Sequence, residues 1–191
     1  MRYRDFYCEK LDHKLLESVD SEHKEKMKIL IRELERGTWT KKQKHRQRSS
    51  ILPNIALYQV FIDNGISKEK SYELVKSHSF YVAEKVHKSL RVLSKIPNFF
   101  SFFRFFMRKG MAGEEIWISE ILTDTPKEYS TNVLKCLWFD TCSYFGCPEL
   151  CEVFCLCDHI VFGNMEKFQF ERSQTLGMRG EKCDFSFRSK L

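Results

Sequence analysis

The chain has 191 residues, of which 42% are apolar, 14% aromatic and 30% charged. These are globular values, and they exclude a disordered tail, a coiled coil or a collagen-like repeat. The net charge of +6 divides unevenly: residues 1–110 carry 24 basic and 13 acidic side chains, whereas residues 111–191 carry 8 and 13, so a basic part precedes an acidic one.

A chain of this length buries enough surface to fold without a metal or disulfide staple. It reads as a single domain over 1–191, mainly helical to residue 110 and α+β over 111–191. The opening MRYRDFYCEKLDHK lacks the apolar stretch of a secretory signal. The longest apolar run, residues 97–107, is far short of a membrane span and is interrupted by Arg104. The expectation is a cytoplasmic protein with no membrane partner and with its eight cysteines as free thiols.

In chain order, residues 10–36 show an interrupted helical stripe of Leu15, Leu16, Val19, Met27, Leu30, Ile31 and Leu34, closed by Gly37 as a C-terminal glycine. Residues 38–50 are rich in Lys and Arg and poor in apolar side chains, which predicts an exposed loop. No nucleic-acid motif accompanies that basic segment, so no nucleic-acid partner is expected. Residues 53–63 form a short helix with Pro53 in its first turn. Ser67 caps a long helix reaching about Ser94, and His78 and His87 lie nine apart on it without sharing a face well.

Residues 97–108 make a helix with almost no polar face, suited to a core, a pocket wall or a partner such as a second copy of the chain in a homodimer. After Gly113 the period changes. Ile116, Trp117, Ile118 and Ile121 predict a strand over 115–122, and Tyr129–Val133 a second. Helices follow over 134–145 and from Pro148 to Phe162. Phe168 and Phe170 start another strand, and Cys183, Phe185 and Phe187 alternate with polar residues in a last strand over 182–188. The fold class is α+β, a small antiparallel sheet carrying helices, with a C-terminal helix pair and hairpin.

Seven of the eight cysteines follow residue 135. Cys151, Cys155 and Asp158 stand at i, i+4 and i+7 on one helix and therefore share a face. Cys147 lies a turn earlier, where a helix N-terminus can lower a thiol pKa. A thiolate beside a carboxyl group is a reasonable hydrolytic pair, and Cys183-Asp184 offers the same groups again. Buried apolar thiols, a metal site and a redox-sensing pair are the competing explanations. No two cysteines have the spacing of a zinc knuckle, so no metal and no cofactor is expected. Signatures of serine hydrolases, P-loops, dinucleotide binders and zinc peptidases are missing.

Three strings carry a family resemblance: YSTNVLKC (129–136), GCPELCEVFCLCD (146–158) and FERSQTLGMRGEKCDFSF (170–187). Asn132 and Cys136, then Gly146, Pro148, Glu149 and Leu150, then Phe154, Cys155 and Asp158, and finally Arg172, Thr175, Leu176, Gly180, Cys183, Asp184 and Phe185 fall in the order and spacing of one pattern. In this the chain resembles the L-2-amino-thiazoline-4-carboxylic acid hydrolases. The resemblance implies a cytoplasmic, bacterial hydrolase of small molecules that opens a 2-amino-thiazoline ring with water.

Such a ring presents an amidine-like carbon between nitrogen and sulfur, and opening it needs a nucleophile, a proton donor and a cation for the substrate carboxylate. These roles are expected of Cys155 as nucleophile and Asp158 as acid and base, with Cys183 and Asp184 as the alternative pair. Arg172 would hold the carboxylate bidentately, and Asn132, Cys136 and Thr175 would complete the substrate contacts. The alternative is a non-catalytic domain that binds a small molecule in an apolar pocket.

Overall fold

Long apolar stripes in the sequence become helices, and alternating stretches become strands. The structure, a computed structural model, describes residues 3–111 and 113–190. Two compact units divide it, Met1–Ser79 and Phe80–Leu191.

The first unit is helical. Helix α1 (Tyr3–Tyr7) leads into α2 (His13–Arg36), whose N-cap Asp12 accepts a hydrogen bond from the Leu15 amide at 2.9 Å. Gly37 closes α2 in an extended conformation, not the left-handed one of a C-terminal glycine. Its missing side chain serves the Trp39 indole instead, since a Cβ at 37 would lie 2.5 Å from the ring nitrogen.

The basic stretch expected as a loop is helical. Thr40 and Gln43 form a capping box that starts α3 (Lys41–Arg46), and a π-helical turn (Gln47–Ile51) carries the chain into α4 (Leu52–Asp63). Charge content had obscured this capping signature. Gln47 and Ile51 are buried, and Lys44 and Arg48 both pair with Glu35. Helix α4 is the unit's core, with Leu52, Ile55, Leu57, Val60 and Phe61 all buried. Tyr7 packs edge-on against Phe61 and donates to the Leu74 carbonyl at 2.8 Å. The boundary between the units falls within α5 (Lys68–Leu93).

The second unit carries a four-stranded antiparallel sheet in the order β1-β2-β4-β3, built from β1 (Trp117–Asp124), β2 (Glu128–Cys136), β3 (Phe168–Glu171) and β4 (Cys183–Ser189). Tyr129 stands opposite Phe187, Val133 opposite Cys183, and Phe170 opposite Phe187, which gathers the large apolar residues on one face. Helix α6 (Phe99–Met111) contributes Phe99, Phe100 and Phe103 to that core. The Phe103 ring lies 4.5 Å from Phe168 and 4.9 Å from Phe187, centroid to centroid. The other half of α6, Phe102, Phe105 and Phe106, is exposed, so the helix is core on one side only.

Helices α7 (Leu137–Tyr144) and α8 (Leu150–Phe162) join β2 to β3. The β1–β2 ladder slips twice, between Ile118 and Ser119 and between Ile121 and Thr123. The α+β class is as expected. Among the described residues no helix is long and apolar enough to cross a membrane.

Candidate functional site

A cavity of about 320 Å³ opens within the second unit. Phe106 and Met107 of α6 form one wall. Trp117 of β1 and Trp138 of α7 form another, their rings stacked 5.4 Å apart and 4° from parallel. The sheet face supplies Val133, Cys136 and Cys183. Helix α8 supplies Cys151, Phe154, Cys155 and Asp158, and the segment after β3 adds Arg172.

Helical spacing explains the α8 contribution: Cys151, Cys155 and Asp158 lie on successive turns of one face. Opposite them, residues 175–180 form a tight turn. The Thr175 hydroxyl accepts from the Met178 amide at 3.1 Å and caps the 3₁₀ turn Leu176–Met178. Gly177 is pressed against the helix, and a Cβ there would sit 2.8 Å from Cys155 Sγ and 2.9 Å from Cys151 Sγ. Only a glycine permits so close an approach without displacing the thiols.

The thiols of this cavity are chemically unequal. Burial pushes Cys136 up to about 12 and Cys183 up to about 11. Cys157, on the same helix, is likewise held up at about 12. Cys155 moves the other way, down to about 7. A hydrogen bond from the Cys151 thiol is the main cause. Burial opposes it, and the Thr175 hydroxyl and the Arg172 charge reinforce it. Cys151, as the donor in that pair, is pushed up. Cys155 is thus the cavity thiol arranged to ionise near neutrality.

Beside it lies a buried ion pair. Arg172 Nη1 donates to Asp158 Oδ2 at 2.6 Å, and Nη2 donates to the Cys155 carbonyl at 2.5 Å. The Arg172 side chain is 1% exposed and lies over the rings of Phe185 and Phe170 at 5.1 and 5.9 Å. Asp158 is 33% exposed, but it lines the apolar cavity. Burial raises its carboxyl to about 6, with Arg172 resisting the rise.

Asp184 anchors the segment that carries Arg172. It accepts from the Ser173 amide at 3.0 Å, the Gln174 amide at 2.8 Å and the Ser173 hydroxyl at 2.5 Å. Burial raises this carboxyl, and those hydrogen bonds outweigh it to leave the pKa lowered.

Six of the residues singled out in the sequence therefore converge: Cys136, Cys155, Asp158, Arg172, Thr175 and Cys183. Asn132 and Asp184 do not join them. They stand opposite each other in the β2–β4 register, at positions alternating with Val133 and Cys183 and so on the other face of the sheet. This also separates Asp184 from Cys183 as a working pair. The bidentate grip expected of Arg172 on a substrate is taken up by Asp158 and the Cys155 carbonyl.

Trp117, Trp138, Phe154, Met107 and Gly177 were not marked as site residues by their sequence, although Gly177 stands two residues from Thr175. Among the described residues no group of three or more His, Cys, Asp or Glu is placed to hold a metal ion.

Residues 43–187 match the family model described as L-2-amino-thiazoline-4-carboxylic acid hydrolase. No curated protein and no solved structure matches the chain.

Proposed function

The chain belongs to the L-2-amino-thiazoline-4-carboxylic acid hydrolase family, and from that premise we propose that it opens a C=N-containing thiazoline, or a related small heterocycle, by attack of Cys155 assisted by Asp158. The observation that carries this reading is that the Cys155 thiol and, one turn on, the Asp158 carboxyl held by Arg172 at 2.6 Å face one cavity; the environment lowers the thiol and raises the carboxyl toward neutrality. Environments that push neighbouring pKa values toward neutrality are typical of catalytic pairs.

The Cys155 thiolate forms a bond to the amidine-like carbon, and the C=N electron pair moves to nitrogen. That pair then re-forms C=N as the ring bond from this carbon to sulfur breaks, which opens the ring and releases the sulfur as a thiolate. Hydrogen bonds from Cys151 and Thr175 hold the sulfur in place before attack. Asp158, as the carboxylate, takes a proton from water as the water oxygen adds to the same carbon, and returns that proton to the atom released by ring opening. The thiolate then departs from the carbon. Water supplies the oxygen of the new C=O, and its two hydrogens end on the product's nitrogen and on the released atom. Arg172 orients Asp158. Asp184 acts as a positioning residue through the 173–174 turn. Cys183, the alternative nucleophile, is kept protonated by burial at neutral pH. The eight free thiols suit a reducing, cytoplasmic compartment.

The test is turnover of a panel of 2-thiazolines by the purified chain, followed by mass spectrometry for the gain of one water. Wild-type conversion with loss in Cys155→Ser and Asp158→Asn is expected. Full turnover by folded Cys155→Ser overturns the nucleophile assignment. A second reading, a non-catalytic binding domain, draws on the predominantly apolar cavity wall. It predicts tight binding by the wild type without conversion of any ring.

A further inference from the structure

The cavity offers an incoming ligand little charge to answer. Its described lining holds one cation and one carboxylate, Arg172 and Asp158, and they neutralise each other. Both terminal nitrogens of Arg172 are engaged inside the protein, and only Nε is unpartnered. A single N–H cannot grip the two oxygens of a carboxylate, whereas it suits one neutral acceptor. An anion brought into this site would give up its water and meet the Asp158 carboxylate without a free cation in return.

The size of the cavity adds a second constraint. A cavity of roughly 150 Å³ holds a benzene ring, and this one is about 320 Å³. A five-membered ring at Cys155 leaves space for a second group of ring size. That space is walled by Phe106, Met107, Trp117, Trp138 and Phe154, side chains that attract apolar and aromatic surface.

We propose that the substrate of this site is an uncharged C=N heterocycle bearing an apolar arm, an aromatic ring or a short alkyl chain, and not a small free carboxylate. This rests on the hydrolase reading for its reactive ring and on the cavity alone for the arm.

Binding of three probes to the wild-type chain, read by tryptophan fluorescence after rapid mixing, tests it: 2-phenyl-2-thiazoline, its 4-carboxylate, and 2-amino-thiazoline-4-carboxylate. The stacked Trp117–Trp138 pair on the cavity wall is the reporter. The neutral phenyl compound should bind at least about ten-fold more tightly than either carboxylate. Equal or tighter binding of either carboxylate overturns the proposal.

Phe106→Glu, at a lining position that is 66% exposed and so tolerant of change, should weaken the phenyl probe about five-fold or more. Unchanged affinity in the folded variant overturns the placement of the arm. Turnover is scored separately. The expected binding order without hydrolysis of any probe supports the ligand class and defeats the hydrolase reading. Hydrolysis with the reverse order does the opposite.

Discussion

Both units of this protein carry exposed ion pairs, and the second adds a buried one. The first keeps its pairs on the surface. Lys24 with Asp20, Lys28 with Glu25 and Lys76 with Glu73 are pairs one helical turn apart, with most of their lysine or acid side chains in water, and such pairs contribute little to stability. The second unit buries a guanidinium at 1% exposure against a carboxylate and surrounds both with thiols and rings. Burial of that kind is costly and contributes little to stability by itself. The basic character of the first unit, conspicuous in the sequence, marks solvated helix faces.

The contrast is most sharply tested at the thiols. Cys155→Ser should lower kcat/KM on the order of a thousand-fold, as expected for removal of a nucleophile. Cys8→Ser, at an exposed thiol of the first unit, should leave it unchanged. Steady-state kinetics on both variants decides this.

Next in size are the ion pairs. Arg172→Met leaves Asp158 buried without its partner and should destabilise the fold by about 3–5 kcal/mol. Lys24→Met should stay within about 0.5 kcal/mol. Urea denaturation measures both, and equal effects would erase the distinction between the units.

Two glycines extend the test. Gly177→Ala drives a methyl group into the Cys151–Cys155 pair and should cost roughly ten- to a hundred-fold in kcat, since small displacements of reacting groups are expensive. Gly65→Ala, where φ is +80° and nothing lies within 4 Å, should cost about 1–2 kcal/mol of stability and no activity.

The smallest effect is on pH dependence. With Cys155 and Asp158 both working deprotonated, activity should rise through ionisations near 6 and 7 and level off above them. Asp158→Asn should remove the lower one. The two groups affect stability with opposite signs. The Cys155 thiol is lowered from 9.0 to about 7, so its contribution is present above 9 and is lost as pH falls through 7. The Asp158 carboxyl is raised from 3.8 to about 6, so its contribution is present below 3.8 and is lost as pH rises through 6. Unfolding measured from pH 4 to pH 9 in the wild type and in each variant separates the two.

Much of this architecture was legible in the chain, and the reasons differ by element. The α2 and α5 stripes are long enough for periodicity to speak, and the alternation of β4 places Cys183, Phe185 and Phe187 on one face. The i, i+4, i+7 set on α8 located one wall of the cavity for the same reason. Residues 38–50 resemble a loop because Lys and Arg suppress hydropathy without suppressing helix formation, and the capping box at Thr40 is the local signal for the helix. Asp184 and Asn132 belong to the family pattern, which joins residues of both faces of a strand; the alternation of β4 by itself sets Asp184 on the face opposite Cys183. The partnership of Trp117 with Trp138, and of Gly177 with two thiols, joins segments far apart in the chain, and no local period encodes it.

The two register slips in the β1–β2 ladder have a consequence for the behaviour of the chain in a crowded solution. Strand β1 is a sheet edge and exposes Ile118, Ile121 and Leu122. A straight edge of this composition would be a template for adding strands from other molecules. One slip places Leu122 as an extra residue in β1 and the other places Leu134 as an extra residue in β2; each bends its strand and breaks the run of matched donors and acceptors. The irregular ladder therefore works as protection against aggregation. Deleting Leu122, which removes the slip that lies in β1, should leave the chain folded while light scattering of concentrated samples climbs.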